Sequence, residues 1–196
     1  LKDIMIGNYG YFRPFTTYQA TIAYYENIGT ATEPKFKERT IDYDKFSDYN
    51  LVAAFPAFGD LNGDGYQDMV VGDLNGYVHY FKNYGTVIAS FPTMDSSQWS
   101  KIDVGQFSAP FVYDMNGDSL LDLLVGRKDG KISYFWNMGT RTVPYFHKDS
   151  VNNFLGNITV TAPGFSEGSS QPSIYKMPGG ALRLFVGSNI GRVFEY

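Results

Sequence analysis

Apolar residues in this chain gather in short unbroken runs, each closed by a glycine. The runs are IMIG ending at Gly7, MVVG at Gly72, LLVG at Gly126 and LFVG at Gly187. Three consecutive apolar residues closed by a glycine predict a strand buried on both faces rather than an amphipathic one. After the last three runs, a four-residue step leads to a second glycine, Gly76, Gly130 and Gly191, which predicts a hairpin turn. Aromatic strands follow, YVHYFKNYG to Gly85, KISYFWNMG to Gly139 and RVFEY at the last residues; the first repeat has its version as IAYYENIG to Gly29. Asn27, Asn83 and Asn137 each stand two residues before a glycine, a pair that tolerates positive φ and marks a tight turn. Beyond each turn lies a Pro/Phe segment expected to form an outer strand: Pro34 and Phe36, Phe91 and Pro92, Pro144 and Phe146. Long segments with helical period are missing.

The segment ahead of each run aligns as well. Pro56 and Pro110 stand four residues before Asp60 and Asp114, and Pro172 stands four before Lys176. Each unit therefore reads as strand, polar loop, buried strand, glycine hairpin, aromatic strand, Asn-x-Gly turn and outer strand. Four antiparallel strands in a repeat of roughly 50–60 residues describe a propeller blade. The expected fold is all-β, part of a β-propeller built from four-stranded antiparallel blades. The blade units lie near residues 1–45 (partial), 51–100, 105–155 and 170–196 (partial). Closed propellers usually need about four to eight blades, so the expectation is a piece of a longer protein, with an open or oligomer-closed array as the alternative.

The polar loops carry the candidate chemistry. DLNGDGYQD places Asp60, Asn62, Asp64 and Asp68 at positions one, three, five and nine, with Tyr66 offering its carbonyl at position seven. DMNGDSLLD repeats the arrangement with Asp114, Asn116, Asp118, Leu120 and Asp122. Alternate oxygen donors in a tight glycine-containing loop suit a hard cation such as Ca2+. An EF-hand is excluded, because Val71 and Val125 stand where its twelfth-position Glu belongs and a strand follows instead of a helix. The competing reading is a polar Asx/Gly hairpin turn without metal. Two structural Ca2+ sites are the expectation. No site is expected in the last loop, KMPGGALR, where Lys176 and Arg183 occupy the first and last ligand positions. The first repeat begins inside its loop, with Asp3 in the place of Asp68.

Composition narrows the function classes. The 196 residues include no Cys, which excludes disulfides and thiol chemistry. A net charge of −4 with no basic stripe argues against nucleic-acid binding. No stretch is long and apolar enough to span a bilayer. Of the two histidines, His79 sits on an aromatic strand and reads as a packing residue, and His147 sits in a predicted outer strand beside Lys148 and Asp149. Neither belongs to a recognisable nucleophile motif, and the paired carboxylates are better explained as cation ligands than as a glycosidase pair. An enzyme is therefore not expected.

Apolar strand, DxNGDGxxD loop, apolar strand and glycine hairpin together resemble the FG-GAP/VCBS repeat family, whose nine-residue calcium loops also occur in the propeller of integrin α subunits. The phrasing PAFGDLNGDG, DMVVGDLNG and YFKNYGT is similar to large secreted surface proteins of Bacteroidetes, many of which are exported by type IX secretion. The resemblance implies calcium ligands at the ten residues named above and an extracellular or outer-surface location. It implies a protein-interaction or adhesion module of a larger protein, whose partner is another protein or the remaining blades of its parent. The alternative is a carbohydrate-binding propeller, or the non-catalytic part of a polysaccharide-acting enzyme. Candidate contact segments are the Asn8–Gln19 insertion, with Tyr9, Tyr11, Phe12, Arg13 and Tyr18, and the Gly156–Ser170 segment; Trp99 is a further candidate for stacking on sugar.

Overall fold

A computed structural model describes residues 1–10, 18–85, 90–91, 93–95, 102–147 and 150–196. Tyr11, Phe12, Arg13, Pro92, Trp99, Lys148 and Asp149, all named above, lie outside the described residues. The described residues form four antiparallel sheets, and no helix is long and apolar enough to cross a membrane. The chain divides into two compact units, Leu1–Pro56 and Ala57–Tyr196.

The first unit holds the three-stranded sheet β1 (Ile4–Gly7), β2 (Ile22–Asn27) and β3 (Phe36–Thr40), paired in that order. A 3₁₀ segment, Tyr43–Tyr49, follows and buries Tyr43 and Phe46. The ring of Tyr43 meets Tyr24 of β2 edge-on at 5.2 Å.

A four-stranded sheet comes next in the chain: β4 (Phe55–Gly59), β5 (Asp68–Gly72), β6 (Val78–Phe81) and β7 (Met94–Asp95). The third sheet repeats it with β8 (Ala109–Tyr113), β9 (Asp122–Gly126), β10 (Ile132–Phe135) and β11 (Val151–Asn152). The last has three strands, β12 (Gln171–Lys176), β13 (Leu182–Ser188) and β14 (Arg192–Glu195). Every residue of β5 and β9 is buried, as their unbroken apolar runs predict. Both faces of these strands are covered, so alternation would put polar groups into apolar surroundings.

Register assigns the faces. In the third sheet Leu124 lies opposite both Phe111 and Tyr134, and Leu123 opposite Val112 and Phe135. Leu123, Val125 and Phe135 pack with Val70, Val78 and Tyr80 of the preceding sheet. Leu124 and Ile132 pack with Val186 of the following sheet and with Val160. One sheet thus serves two cores.

Phe36 opens β3 as its Pro/Phe segment predicts, whereas the outer strands of the second and third sheets, β7 and β11, fall later than theirs. Val151–Asn152 is the strand that pairs with β10, whereas Pro144 and Phe146 lie in irregular chain. In the preceding turn Asn137 Oδ1 accepts from the amides of Gly139 and Tyr145, and the amide of Met138 donates to the Tyr145 carbonyl; Asn27 makes the same turn with Gly29 and Lys35 ahead of β3. Pro144 has no amide to offer a ladder. His147 is accordingly outside any strand.

Candidate metal centre

The two Asp-rich loops join β4 to β5 and β8 to β9. Local hydrogen bonds shape each one, because short side-chain oxygens bond the backbone two residues on. In the first, Asn62 Oδ1 accepts from the Asp64 amide at 3.0 Å, and Asp64 Oδ1 accepts from the Tyr66 amide at 3.0 Å. Asp60 takes the amides of Asp64 and Gly65, one on each carboxylate oxygen, at 3.1 and 3.0 Å. The second loop repeats these bonds almost one for one. Asn116 accepts from Asp118 at 2.9 Å and Asp118 from Leu120 at 2.8 Å, while Asp114 accepts from Gly117 and Ser119. Gly65 takes φ +89 in the first loop, and Ser119 takes φ +70 at the same position in the second. A side chain is strained there.

The ninth-position aspartates behave differently from the rest. Asp68 is fully buried, and its carboxylate accepts from four donors: the Leu61 amide, Asn62 Nδ2, the Tyr80 hydroxyl and the Asn83 amide. Burial pushes its carboxyl above the ordinary value; the bonds from Asn83, Tyr80 and Leu61 oppose the shift, and nearby Asp64 adds to it. Asp122, also fully buried, accepts from the Met115 amide at 3.1 Å, the Tyr134 hydroxyl at 2.8 Å and the Asn137 amide at 2.8 Å. Burial likewise raises the Tyr80 and Tyr134 phenols, and the neighbouring carboxylates add to it. In the first unit Asp3 accepts from the Tyr24 hydroxyl and the Asn27 amide. Each of these aspartates therefore ties its loop strand to the aromatic strand and to the Asn-x-Gly turn.

Oxygen donors at Asp60, Asn62, Asp64, Tyr66 and Asp68, and at Asp114, Asn116, Asp118, Leu120 and Asp122, fit a hard cation in kind. The Asx bonds hold the first three side chains of each set over its loop. Among the described residues, however, no three acidic, His or Cys side chains converge into a metal-holding group as they stand. Asp68 and Asp122 are engaged by protein donors, and Lys82 Nζ lies 3.6 Å from Asp64.

The last unit carries no such set. Its pairing runs to Lys176↔Leu182, and the short connection is closed by backbone bonds from Met177 to Ala181 and from Gly180 to Met177. Arg183 takes the place of Asp122, and Glu195 the place of Tyr134. The two form an ion pair at 3.3 Å with both side chains about half exposed.

Sequence reasoning missed a second recurring device, the junction between consecutive strand groups. The Asp73 amide donates to Ser108 Oγ, and the Ser108 amide returns to the Asp73 carbonyl. Arg127 and Ser170 repeat both bonds. In the first unit the Ala54 amide donates to the Asn8 carbonyl. The glycine before each junction is forced by space. A Cβ on Gly7, Gly72 or Gly126 would lie 2.0, 2.0 and 1.9 Å from the carbonyl oxygens of Ala54, Ser108 and Ser170. The signal was legible as Ser/Ala-x-Pro at residues 54–56, 108–110 and 170–172.

Asp73 was missed too. His79 Nε2 lies 2.9 Å from its carboxylate, which also accepts from the Gly76 and Tyr77 amides. His79 thus pins the hairpin that follows β5. Of the contact candidates, Tyr9 and Tyr18 are exposed and meet edge-on at 5.9 Å. Within the Gly156–Ser170 segment Phe165 is 71% exposed, whereas Val160 and Ser170 are fully buried and bonded to residues 127–130.

These features describe an all-β repeat protein in which a buried aspartate ties together the second and the third sheet internally, and glycine–serine junctions link the second, third and last sheets. Residues 53–86 match the FG-GAP repeat, a span covering β4, the first loop, β5, the hairpin and β6. That match points to an integrin-like β-propeller module. No curated protein and no solved structure matches the chain.

Proposed function

We propose that this chain is a calcium-stabilised segment of a β-propeller, serving as a non-catalytic protein-interaction or adhesion-type binding module of a larger secreted or cell-surface protein. The observation that carries the reading is the duplicated loop, with the same Asx bonds around Asp60–Asn62–Asp64 and Asp114–Asn116–Asp118, the first of them inside the FG-GAP match. Asp60, Asn62, Asp64, Tyr66 and Asp68 would hold one ion, and Asp114, Asn116, Asp118, Leu120 and Asp122 the other. The ion supplies positive charge to carboxylates that otherwise crowd one turn. Its role is structural, and the extracellular setting follows from calcium near millimolar outside cells, where sites with dissociation constants of about 10⁻⁴–10⁻³ M fill. Kinship with Bacteroidetes surface proteins and type IX export rests on sequence phrasing alone.

Calcium titration by calorimetry, with melting curves in calcium and in chelator, tests the proposal. A site with a dissociation constant of ~0.1 mM in ~1 mM calcium adds about 1.4 kcal/mol. Asp64→Ala is expected to abolish the calcium-dependent rise at the first loop, and Asp48→Ala, at an exposed position, to leave it intact. Identical melting curves with calcium and with chelator would sink the calcium reading.

A carbohydrate-binding role is the second reading, favoured by the exposed Tyr9–Tyr18 ring pair. Tyrosine and tryptophan fluorescence during glycan titration separates the two. Quenching by a polysaccharide selects the sugar, and silence across a broad panel selects a protein partner.

A further inference from the structure

The two Asp loops carry the same ligand types in the same order, but different groups lie beside them. Asp64 and Asp118 are counterparts at the fifth position, and each accepts the amide two residues on through Oδ1. Their second oxygens meet unlike partners. Asp118 Oδ2 accepts from Asn116 Nδ2 at 2.9 Å, a neutral donor of its own loop. In the first loop the corresponding amide, Asn62 Nδ2, is turned onto Asp68 and Tyr80. Asp64 Oδ2 instead faces Lys82, whose Nζ lies 3.6 Å away. Cross-strand register explains the difference. Met69↔Phe81 in the second sheet corresponds to Leu123↔Phe135 in the third, so Lys82 stands where the third sheet has Trp136. Trp136 carries no charge and meets the Tyr134 ring at 6.2 Å. Among the described residues, no ion pair joins a Lys or Arg to Asp114 or Asp118. Lys82 also has a second resting place. The same Nζ lies 5.9 Å from the centroid of the exposed Tyr84 ring, and the side chain is partly open to solvent. Its flexible four-carbon stem lets the ammonium leave the carboxylate without moving the backbone.

We propose that Lys82 is a tethered competitor of the divalent cation at the first loop. The ion takes Asp64 Oδ2 by displacing the Lys82 ammonium toward Tyr84 and solvent. The second loop needs no such exchange, so the two sites fill in sequence, the second at lower calcium and the first at higher. Ligand charge does not separate them, because each loop has three aspartates. The cation beside one of them does. Binding there gives up an ion pair and leaves a like charge nearby; the pair is exposed and hence weak, so the loss of affinity is about three- to tenfold. The inference rests on the calcium reading proposed above. It adds a graded response to that reading, set by a residue outside the ten ligands.

The test reads each loop alone, in backgrounds that keep the buried Asp68 and Asp122. Calcium calorimetry on the Asp118→Ala chain reports the first loop, and on the Asp64→Ala chain the second. The second is expected to bind about three- to tenfold more tightly. Lys82→Met in the Asp118→Ala chain is expected to tighten the first loop by a similar factor. Lys82→Arg keeps the charge and is expected to leave it near the parent. The gain from Lys82→Met is expected to shrink as salt rises, because screening weakens the ammonium's hold on the carboxylate. Melting adds a readout that packing alone would not move. Lys82→Met is expected to melt lower than its parent in chelator, where it removes an ion pair, and to show the larger rise when calcium is added. A first-loop affinity that Lys82→Met leaves unchanged, or a second loop weaker than the first, overturns the proposal and leaves the calcium reading standing. An equal gain from Lys82→Arg assigns the effect to the packing of the stem and overturns it as well. Absence of calcium heat from both single-loop chains defeats the calcium reading, and this inference with it.

Discussion

The third and last units follow one plan with opposite chemistry at its centre. In the third, Asp122 is buried and receives Tyr134, Asn137 and the loop amide of Met115. In the last, Arg183 and Glu195 hold the same places as an exposed ion pair, and a hairpin closed by its own backbone replaces the loop. A Coulombic link at the surface substitutes for a buried hydrogen-bonded hub. The two are unequal in strength: an exposed pair contributes little, whereas a buried carboxylate leaves several donors unpaired when it is removed. The difference shows that the strand plan does not depend on the polar loop; the loop adds stability where an aspartate can be buried.

Removing the hub gives the largest contrast. Asp122→Ala strands a phenol and two amides and is expected to cost about 3–5 kcal/mol by denaturant unfolding. Arg183→Ala is expected to cost less than about 1 kcal/mol. Similar losses at the two positions would erase the distinction.

The junction glycines come next. Gly126→Ala drives a methyl to 1.9 Å from the Ser170 carbonyl and is expected to lose about 2–4 kcal/mol. Gly187→Ala, with its open surroundings, is expected to stay within about 0.5 kcal/mol of the parent.

A smaller effect has the opposite sign. Ser119 holds φ +70 where the first loop has Gly65. Ser119→Gly is expected to stabilise the chain by about 0.5–1 kcal/mol, because relief of left-handed strain exceeds the entropy that glycine adds to the unfolded chain.

The subtlest test is alkaline. The Tyr134 phenol is raised by burial first and then by Asp122. A folded value above the unfolded one, near 10, means that its contribution is complete below about pH 10 and is lost as pH rises through the folded value. Tyr134→Phe is expected to remove part of the alkaline loss of stability seen in denaturation at stepped pH. Glu195→Gln in the last unit is expected to leave that slope unchanged.

Much of this was open to reading in the amino-acid order. The all-β plan, the two Asp loops and the hairpins follow from local chemistry: apolar runs of strand length, glycine at positive φ, and Asx side chains that bond the backbone nearby. The Asn-x-Gly turns were located for the wrong reason: of their residues only Gly85 has positive φ, and Gly29 and Gly139 are required by the close carbonyls of Glu33 and Val143. The outer strand of the third sheet was misplaced and that of the first was not, although the same turn precedes both, Asn27 reaching Lys35 and Asn137 reaching Tyr145. The Ser/Ala-x-Pro junctions escaped notice because their partners lie about 35 to 46 residues away in the chain.

Sequence by itself determined which residues form the inner and aromatic strands and which form oxygen-rich turns, since both depend on neighbours a few positions apart. Only the tertiary structure decided that Asp68 and Asp122 face inward onto tyrosine and asparagine, that His79 pins a hairpin through Asp73, and that Gly187 lies open while its three counterparts are pressed by a carbonyl. Those outcomes depend on which groups exclude water from one another across distant strands, and burial of that kind is a property of the assembled sheets.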